Sequence, residues 1–272
     1  MSFLTTHCAR QIYFEDYGRR DEEAQQTLLL IHGWGMNTHC WDPILPALVS
    51  MGHRVVLFDH RGCGASSRDF DDMSIGAIAG DVVNLVAELN LQRVIVNGWS
   101  LGGAAAVAAA SQLGHACVGL VLTGGATPIY TQKEDFPQGG TAADVAATVA
   151  AFETDRINFL EGLSHVVCAK DMGVHVTNWL HGLFLQSSPL AGKTLAELAE
   201  LDQRETLLAL NLPILSLFGS EDGFVAPAIC RWVGEHHPNA RTVEFPGVGH
   251  APFLEESQAY LSALREFLEE LG

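Results

Sequence analysis

The sequence is poor in positive charge. Its 272 residues carry 15 Lys and Arg against 32 Asp and Glu, a formal charge of −17. So acidic a surface is repelled by phosphate, which excludes nucleic acid and anionic membranes as general partners. Cysteine is sparse and scattered, at positions 8, 40, 63, 117, 168 and 230, with no C-x-x-C pair. That spacing reads as reduced, mostly buried thiols rather than a disulfide framework or a zinc site. The longest run of apolar and small residues, LGGAAAVAAA (101–110), is about half of what a bilayer span requires. The start, MSFLTTHCARQIYFEDYG, has no basic stretch followed by an apolar one, so no signal peptide is expected and the expected location is cytoplasmic. H-E-x-x-H, P-loop and dinucleotide fingerprints are absent, and GCGAS (62–66) lacks the lysine and spacing of a phosphate loop. No metal and no cofactor are expected.

What is present is a large apolar content, 48% hydrophobic residues with 17% charged, enough for a substantial core despite the charge. The length allows one large domain or two small ones. Short β-rich runs alternate with longer helical ones. The strand candidates are QIYFEDY (11–17), TLLLI (27–31), RVVLFD (54–59), RVIVN (93–97), GLVLT (119–123), PILSLFG (213–219) and TVEF (242–245). Most are continuously apolar, as strands covered on both faces are, and such strands are usually parallel. IGAIAGDVVNLVAEL (75–89) carries a helical apolar stripe with Ser74 as its N-cap, and 254–271 reads as one amphipathic helix. The expected class is α/β: a mostly parallel central sheet with helices on both faces. Between about 124 and 206 the pattern is helical with no clear strand. The expected division is therefore a catalytic core, 1–123 and 207–272, with a helical lid, 124–206, inserted before the strand at 213–219 and over the sheet's carboxyl edge.

Gly98-x-Ser100-x-Gly102 follows the strand RVIV and precedes an Ala-rich helical run. A nucleophile elbow needs that context, since its serine stands on a tight strand-to-helix turn between small residues. The alternative is a serine N-cap on a core helix. A serine hydroxyl needs a base. Of twelve histidines, His250 lies in PGVGHAPF (246–253), at the end of a strand, whereas His7, His53, His115, His236 and His237 sit in surface-like contexts. The base needs an acid to fix its tautomer. Asp222, in FGSEDGFV (218–225), follows a strand and leads an Asp-Gly turn, with Glu221 its nearest rival. Asp59 ends a strand too, but its DHRGCGAS setting reads as a structural turn, and Asp202 reads as a hydrogen-bonding residue at the insertion's far end. Oxyanion donors are expected from the amide of Leu101 and from the Trp34 amide in HGWG (32–35), a loop that otherwise reads as a glycine turn.

With these pieces in order the chain resembles the α/β-hydrolase superfamily over nearly its full length. It is most similar to the pimeloyl-acyl-carrier-protein methyl ester esterases of biotin synthesis, on IHGWGMNTHCW (31–41), GWSLGG (98–103), ATPIYTQKEDFPQG (126–139), LDQRETLLALNLPILSLFGSEDGFVAP (201–227) and GHAPF around His250. The resemblance implies a serine carboxylesterase acting on a methyl ester of an acyl chain, with an acyl carrier protein as partner. It also implies pocket roles for Trp34 and Leu101 and a lid role for Phe159, facing the acyl chain. Phe152, Trp179, Leu183 and Phe184 add apolar surface to the lid. Residues 124–206 hold five bases against eleven acids, and near Phe159 only Arg156 is basic. The same triad would also serve a C–C bond hydrolase, a lactonase or a perhydrolase. A non-catalytic ligand receptor on this fold is the remote alternative.

Overall fold

The computed structural model describes residues 2–18 and 26–272. Eight strands form one sheet in the order β1-β2-β4-β3-β5-β6-β7-β8. They are β1 (Ser2–Thr5), β2 (Gln11–Tyr17), β3 (Thr27–Ile31), β4 (Arg54–Phe58), β5 (Val94–Trp99), β6 (Cys117–Thr123), β7 (Ile214–Gly219) and β8 (Ala240–Phe245). β1 pairs with β2, and β2 with β4, in antiparallel fashion; every later pairing is parallel.

The apolar runs are continuous because both faces of the sheet are covered. Leu29 and Ile31 of β3 and Val56 and Phe58 of β4 pack into one core cluster, while Leu28, Leu30, Val55 and Leu57 pack into the other. This is the two-residue period of a strand with a layer on each side. The first cluster is closed by α2 (Ile75–Glu88), α3 (Leu101–Leu113) and α9 (Pro227–His236). The second is closed by α1 (Leu45–Ser50), α10 (Pro252–Glu255) and α11 (Ser257–Glu270). Ser74 caps α2, its hydroxyl accepting from the Ala77 N–H at 3.0 Å.

Between β6 and β7 the chain leaves the sheet and forms α4 (Ala142–Thr154), α5 (Arg156–Val166), α6 (Val174–Phe184), α7 (Gly192–Glu200) and α8 (Arg204–Leu208). The stretch before α4 is not helical; it is a loop with isolated bridges Thr131–Gly140 and Lys133–Phe136. The boundary expected at 206 falls inside α8. No helix of the described residues is long and apolar enough to cross a membrane.

Three further local expectations need correction. β1 is not read from the sequence because it is four residues long and buries only Leu4. The helix expected over 254–271 is two helices broken at Glu256, whose φ of −137° and ψ of 51° are not helical. His53 and His237 are buried rather than surface-lying; the His237 ring meets the Leu210 carbonyl at 2.9 Å.

Candidate active site

Ser100 stands between β5 and α3 with φ of +57° and ψ of −124°. A positive φ is costly for a residue with a Cβ, by about 1–3 kcal/mol, and persists only where the surroundings enforce it. Here they do. A Cβ on Gly98 would lie 2.1 Å from the Gly102 carbonyl oxygen, and one on Gly102 would lie 2.5 Å from that of Ile31. The turn closes this tightly only because both positions are glycine. Ser100 donates its main-chain N–H to Thr123 O at 3.0 Å, which fixes the turn to β6.

His250 follows β8, and Asp222 follows β7. The His250 ring meets Asp222 Oδ2 through Nδ1 at 2.7 Å, with both side chains almost fully buried. Asp222 Oδ1 accepts from the N–H groups of Phe224 at 2.8 Å and Val225 at 2.9 Å. Glu221 is exposed and does not meet the ring. The carboxylate therefore has acceptor work on both oxygens, and the ring has its Nδ1 edge fixed and Nε2 on the opposite edge. The ring stacks on Phe224, with centroids 4.9 Å apart, and Trp99 Nε1 donates to His250 O at 2.8 Å.

Ser100 and His250 line one cavity with Trp34, Leu101, Trp99 and Phe224; its empty volume is about 600 Å³, part of it open to solvent. The rest of the wall is mostly apolar, including Met36, Leu163, Val167, Phe184, Leu195 and Leu198. Among the described residues no Lys or Arg lines it. Among the described residues the main-chain N–H groups of Trp34 and Leu101 have no acceptor, and both residues stand beside Ser100. Leu101 is also the first residue of α3, where unpaired amides and the helix dipole favour negative charge.

The structure thus brings Ser100, His250, Asp222, Trp34 and Leu101 together. It does not bring Phe159 to the cavity wall. Phe159 packs edge-on against Phe152 at 6.1 Å, and Phe152 in turn against Trp34 at 5.1 Å, so it lies one aromatic layer behind. Of Phe152, Trp179 and Phe184, the other aromatics named from the sequence in this segment, Phe184 lines the cavity, Phe152 is fully buried and Trp179 packs on the same core. Sequence reasoning missed Trp99, next to Ser100, and Phe224, two residues after Asp222, which could have been found there. It also missed Tyr130 and Thr148, which line the cavity from the segment between β6 and β7; the Thr148 hydroxyl donates to Asp144 O at 2.9 Å. Asp59 holds its own turn, accepting from Thr38 N at 2.7 Å and Ala65 N at 2.8 Å. Asp202 pairs with Arg204 at 2.7 Å.

One group of possible metal ligands stands together among the described residues: His32, His60 and Cys63, all buried, with ligand atoms within 4.8 Å. The two rings stack with centroids 3.8 Å apart and planes 20° apart. A metal lies in the plane of each imidazole it binds, and two near-parallel planes do not meet at this cluster. Both His32 nitrogens are also engaged, with Gly33 O at 2.8 Å and the His60 N–H at 3.1 Å. The arrangement does not suit a metal. Burial pushes both rings' pKa down, that of His60 to about 4.

The sequence profile of the alpha/beta hydrolase fold matches residues 26–257. The chain belongs to that family. It is an α/β-hydrolase-fold hydrolase of the esterase type. It is 30% identical to the pimeloyl-[acyl-carrier protein] methyl ester esterase of Aeromonas hydrophila over 252 residues, 89% of this chain and 94% of the relative. Among solved structures it is similar to an esterase from Exiguobacterium antarcticum, at a TM-score of 0.93 and 25% identity over 98% of this chain and 99% of that one. It is also similar to a bromoperoxidase from Bacillus anthracis, at 0.89 and 26% identity over 96% of each chain.

Proposed function

We propose that the protein is a serine carboxylesterase in which Ser100, His250 and Asp222 form the catalytic triad. Ser100 Oγ attacks the ester carbonyl while His250 Nε2 takes its proton and passes it to the leaving alcohol. Asp222 holds the ring as the Nδ1–H tautomer and stabilises the imidazolium that forms. The amides of Trp34 and Leu101 donate to the oxyanion. Water then enters, His250 removes its proton, and the acyl group leaves as a carboxylate while Ser100 is restored. The observation that carries this reading is the 2.7 Å contact between two buried side chains, His250 Nδ1 and Asp222 Oδ2, with His250 lining the same cavity as a serine held at positive φ.

The cavity wall supports a neutral, apolar acyl chain: it offers dispersion and no cation to pair with a free carboxylate. An ester fits such a wall, and the ionised acid it yields is less welcome there. The methyl ester of a carrier-linked acyl chain is the substrate we infer, on the relatives' names. Residues 124–206 act in this reading as the lid that supplies the cavity's upper wall. An acidic acyl carrier needs a local positive face on a protein of charge −17. Arg68 and Arg156 offer one: Arg156 donates to Ser187 O at 2.7 Å, Arg68 donates to the same carbonyl, and neither has a carboxylate partner among the described residues.

Ser100→Ala is expected to lose nearly all hydrolysis of short p-nitrophenyl esters while remaining folded, and undiminished turnover would sink the nucleophile. Growth without biotin of an esterase-deficient strain expressing the protein tests the substrate. Failure to grow, with soluble protein present, argues against the biotin-pathway substrate. A panel of lactones, dienones and peroxide with short acids then separates the remaining chemistries.

A further inference from the structure

Glu255 lies five residues beyond His250, at the end of α10, and is only 8% exposed. Among the described residues no cation pairs with its carboxylate. Instead it meets three main-chain N–H groups. Oε1 accepts from Gly249 at 2.8 Å, and Oε2 accepts from Ala169 and Lys170, each at 2.9 Å. Gly249 immediately precedes His250. Ala169 and Lys170 belong to the link between α5 and α6, in the segment that covers the cavity. The two stretches are also bonded directly, His250 N–H donating to Val167 O at 2.9 Å. They pack so closely that a Cβ on Gly249 would stand 2.5 Å from Ala169 N.

Each of these three hydrogen bonds comes from a main-chain donor. A carboxylate accepts on both oxygens and donates on neither, whereas a glutamine would turn an NH2 toward one of the amides. An acceptor-only side chain is therefore what joins the two segments. The broken helix serves the same end. At Glu256 the backbone departs from helical geometry, so Glu255 turns inward to the amides while Glu256 pairs with the Lys170 side chain. A continuous helix over 254–271 would not require this break.

We propose that Glu255 is a positioning residue that locks the His250 loop to the 167–170 link, so that the base is held in register with the segment covering the cavity. The inference rests on the reading of His250 as the base. Val167 lines the cavity and His250 N bonds to its carbonyl, so acyl-chain contacts on the covering segment and the ring's position are mechanically joined. Loss of the clamp leaves the substrate walls largely in place and loosens the base, so the cost falls on kcat rather than on KM.

The test compares wild type, E255A, E255Q and S100A on p-nitrophenyl butyrate, with amide hydrogen exchange on the same proteins. E255A is expected to lose about 30-fold or more in kcat with KM changed less than about threefold, and E255Q about tenfold, since its one carbonyl oxygen keeps one side of the clamp. The amides of Gly249, Ala169 and Lys170 should exchange faster together in E255A, while those of Phe224 and Val225 on Asp222 stay protected. A folded E255A with wild-type kcat overturns the proposal, as does a lost kcat with all three amides still protected. Should E255A fail to fold, the near-isosteric E255Q is read by the same two measurements. An inactive S100A beside an unaffected Glu255 series refutes the clamp alone; an active S100A refutes the triad and the clamp with it.

Discussion

The Trp34 indole Nε1 donates to the Ala191 carbonyl at 2.9 Å, tying the loop after β3 to the residue before α7. One residue thus lines the cavity and ties its side chain to the segment between β6 and β7. Trp34→Phe keeps the ring against Phe152 and removes the donor. Stability should fall by about 1 kcal/mol, the ordinary worth of a hydrogen bond. KM should rise about threefold with kcat nearly unchanged, since the amide stays. Urea unfolding and steady-state kinetics check both; a kcat loss of a hundredfold would show that the indole contact sets the amide's position.

Ser100 holds its positive φ at a cost in stability. Ser100→Gly relieves the positive φ and should melt above wild type, by about 1 kcal/mol at the midpoint, while losing activity. Calorimetry on the glycine and alanine variants separates strain from side-chain loss. An S100G that melts below S100A contradicts the strain argument.

Asp222→Asn preserves size but presents an NH2 either to the ring or to the Phe224 and Val225 amides. Activity should fall by roughly 10³–10⁴, as the ring is driven to the wrong tautomer. Steady-state kinetics on a folded variant measures it, and a drop of less than tenfold would remove Asp222 from the triad.

The His60 ring is neutral in the fold, with its pKa pressed by burial to about 4 from an ordinary 6.5. Between these values the unfolded chain binds more protons than the folded one. The contribution is therefore complete above pH 6.5 and is lost as pH falls toward 4, amounting to roughly 3 kcal/mol. His60→Phe keeps a ring stacked on His32 and removes the proton site. Its urea midpoint should decline less steeply between pH 6.5 and 4; parallel curves for the two proteins would refute the assignment.

Reversing charge at the paired arginines separates carrier from acyl chain. Arg68→Glu should raise KM about tenfold for a carrier-linked ester and leave that for p-nitrophenyl butyrate unchanged, as a rim charge affects association with a charged partner. Equal effects on both substrates would place Arg68 in structure rather than in carrier docking.

Much of the core was legible. β3 is continuously apolar because both faces are buried, and that burial makes such a run recognisable in one dimension. The strand–turn–helix around Ser100 was legible for a similar reason: small residues at 98 and 102 are the local condition for the turn. β1 was not, because a four-residue edge strand has no periodicity to speak of. Nor was the break at Glu256, since 254–271 has a faultless amphipathic pattern and only contacts with residues some 85 positions away interrupt it. Phe159 shows the limit within residues 124–206. Its helix was evident, but which residues turn toward the cavity depends on how α4 to α7 pack on one another, and Phe152 took the place nearer Trp34.

The order Ser100, Asp222, His250, the alternation of strand and helix and the strong acidity can be read from the amino-acid sequence alone, because these depend on residue type and local spacing. Tertiary structure alone decided that Asp222 rather than Glu221 meets the His250 ring, which side chains of residues 124–206 form the wall, and that Glu255 bonds both to Gly249 and to the link between α5 and α6. Those relations are contacts between parts of the chain far apart in sequence. Their distances are fixed by the packing of helices on both faces of the sheet, which no local pattern encodes.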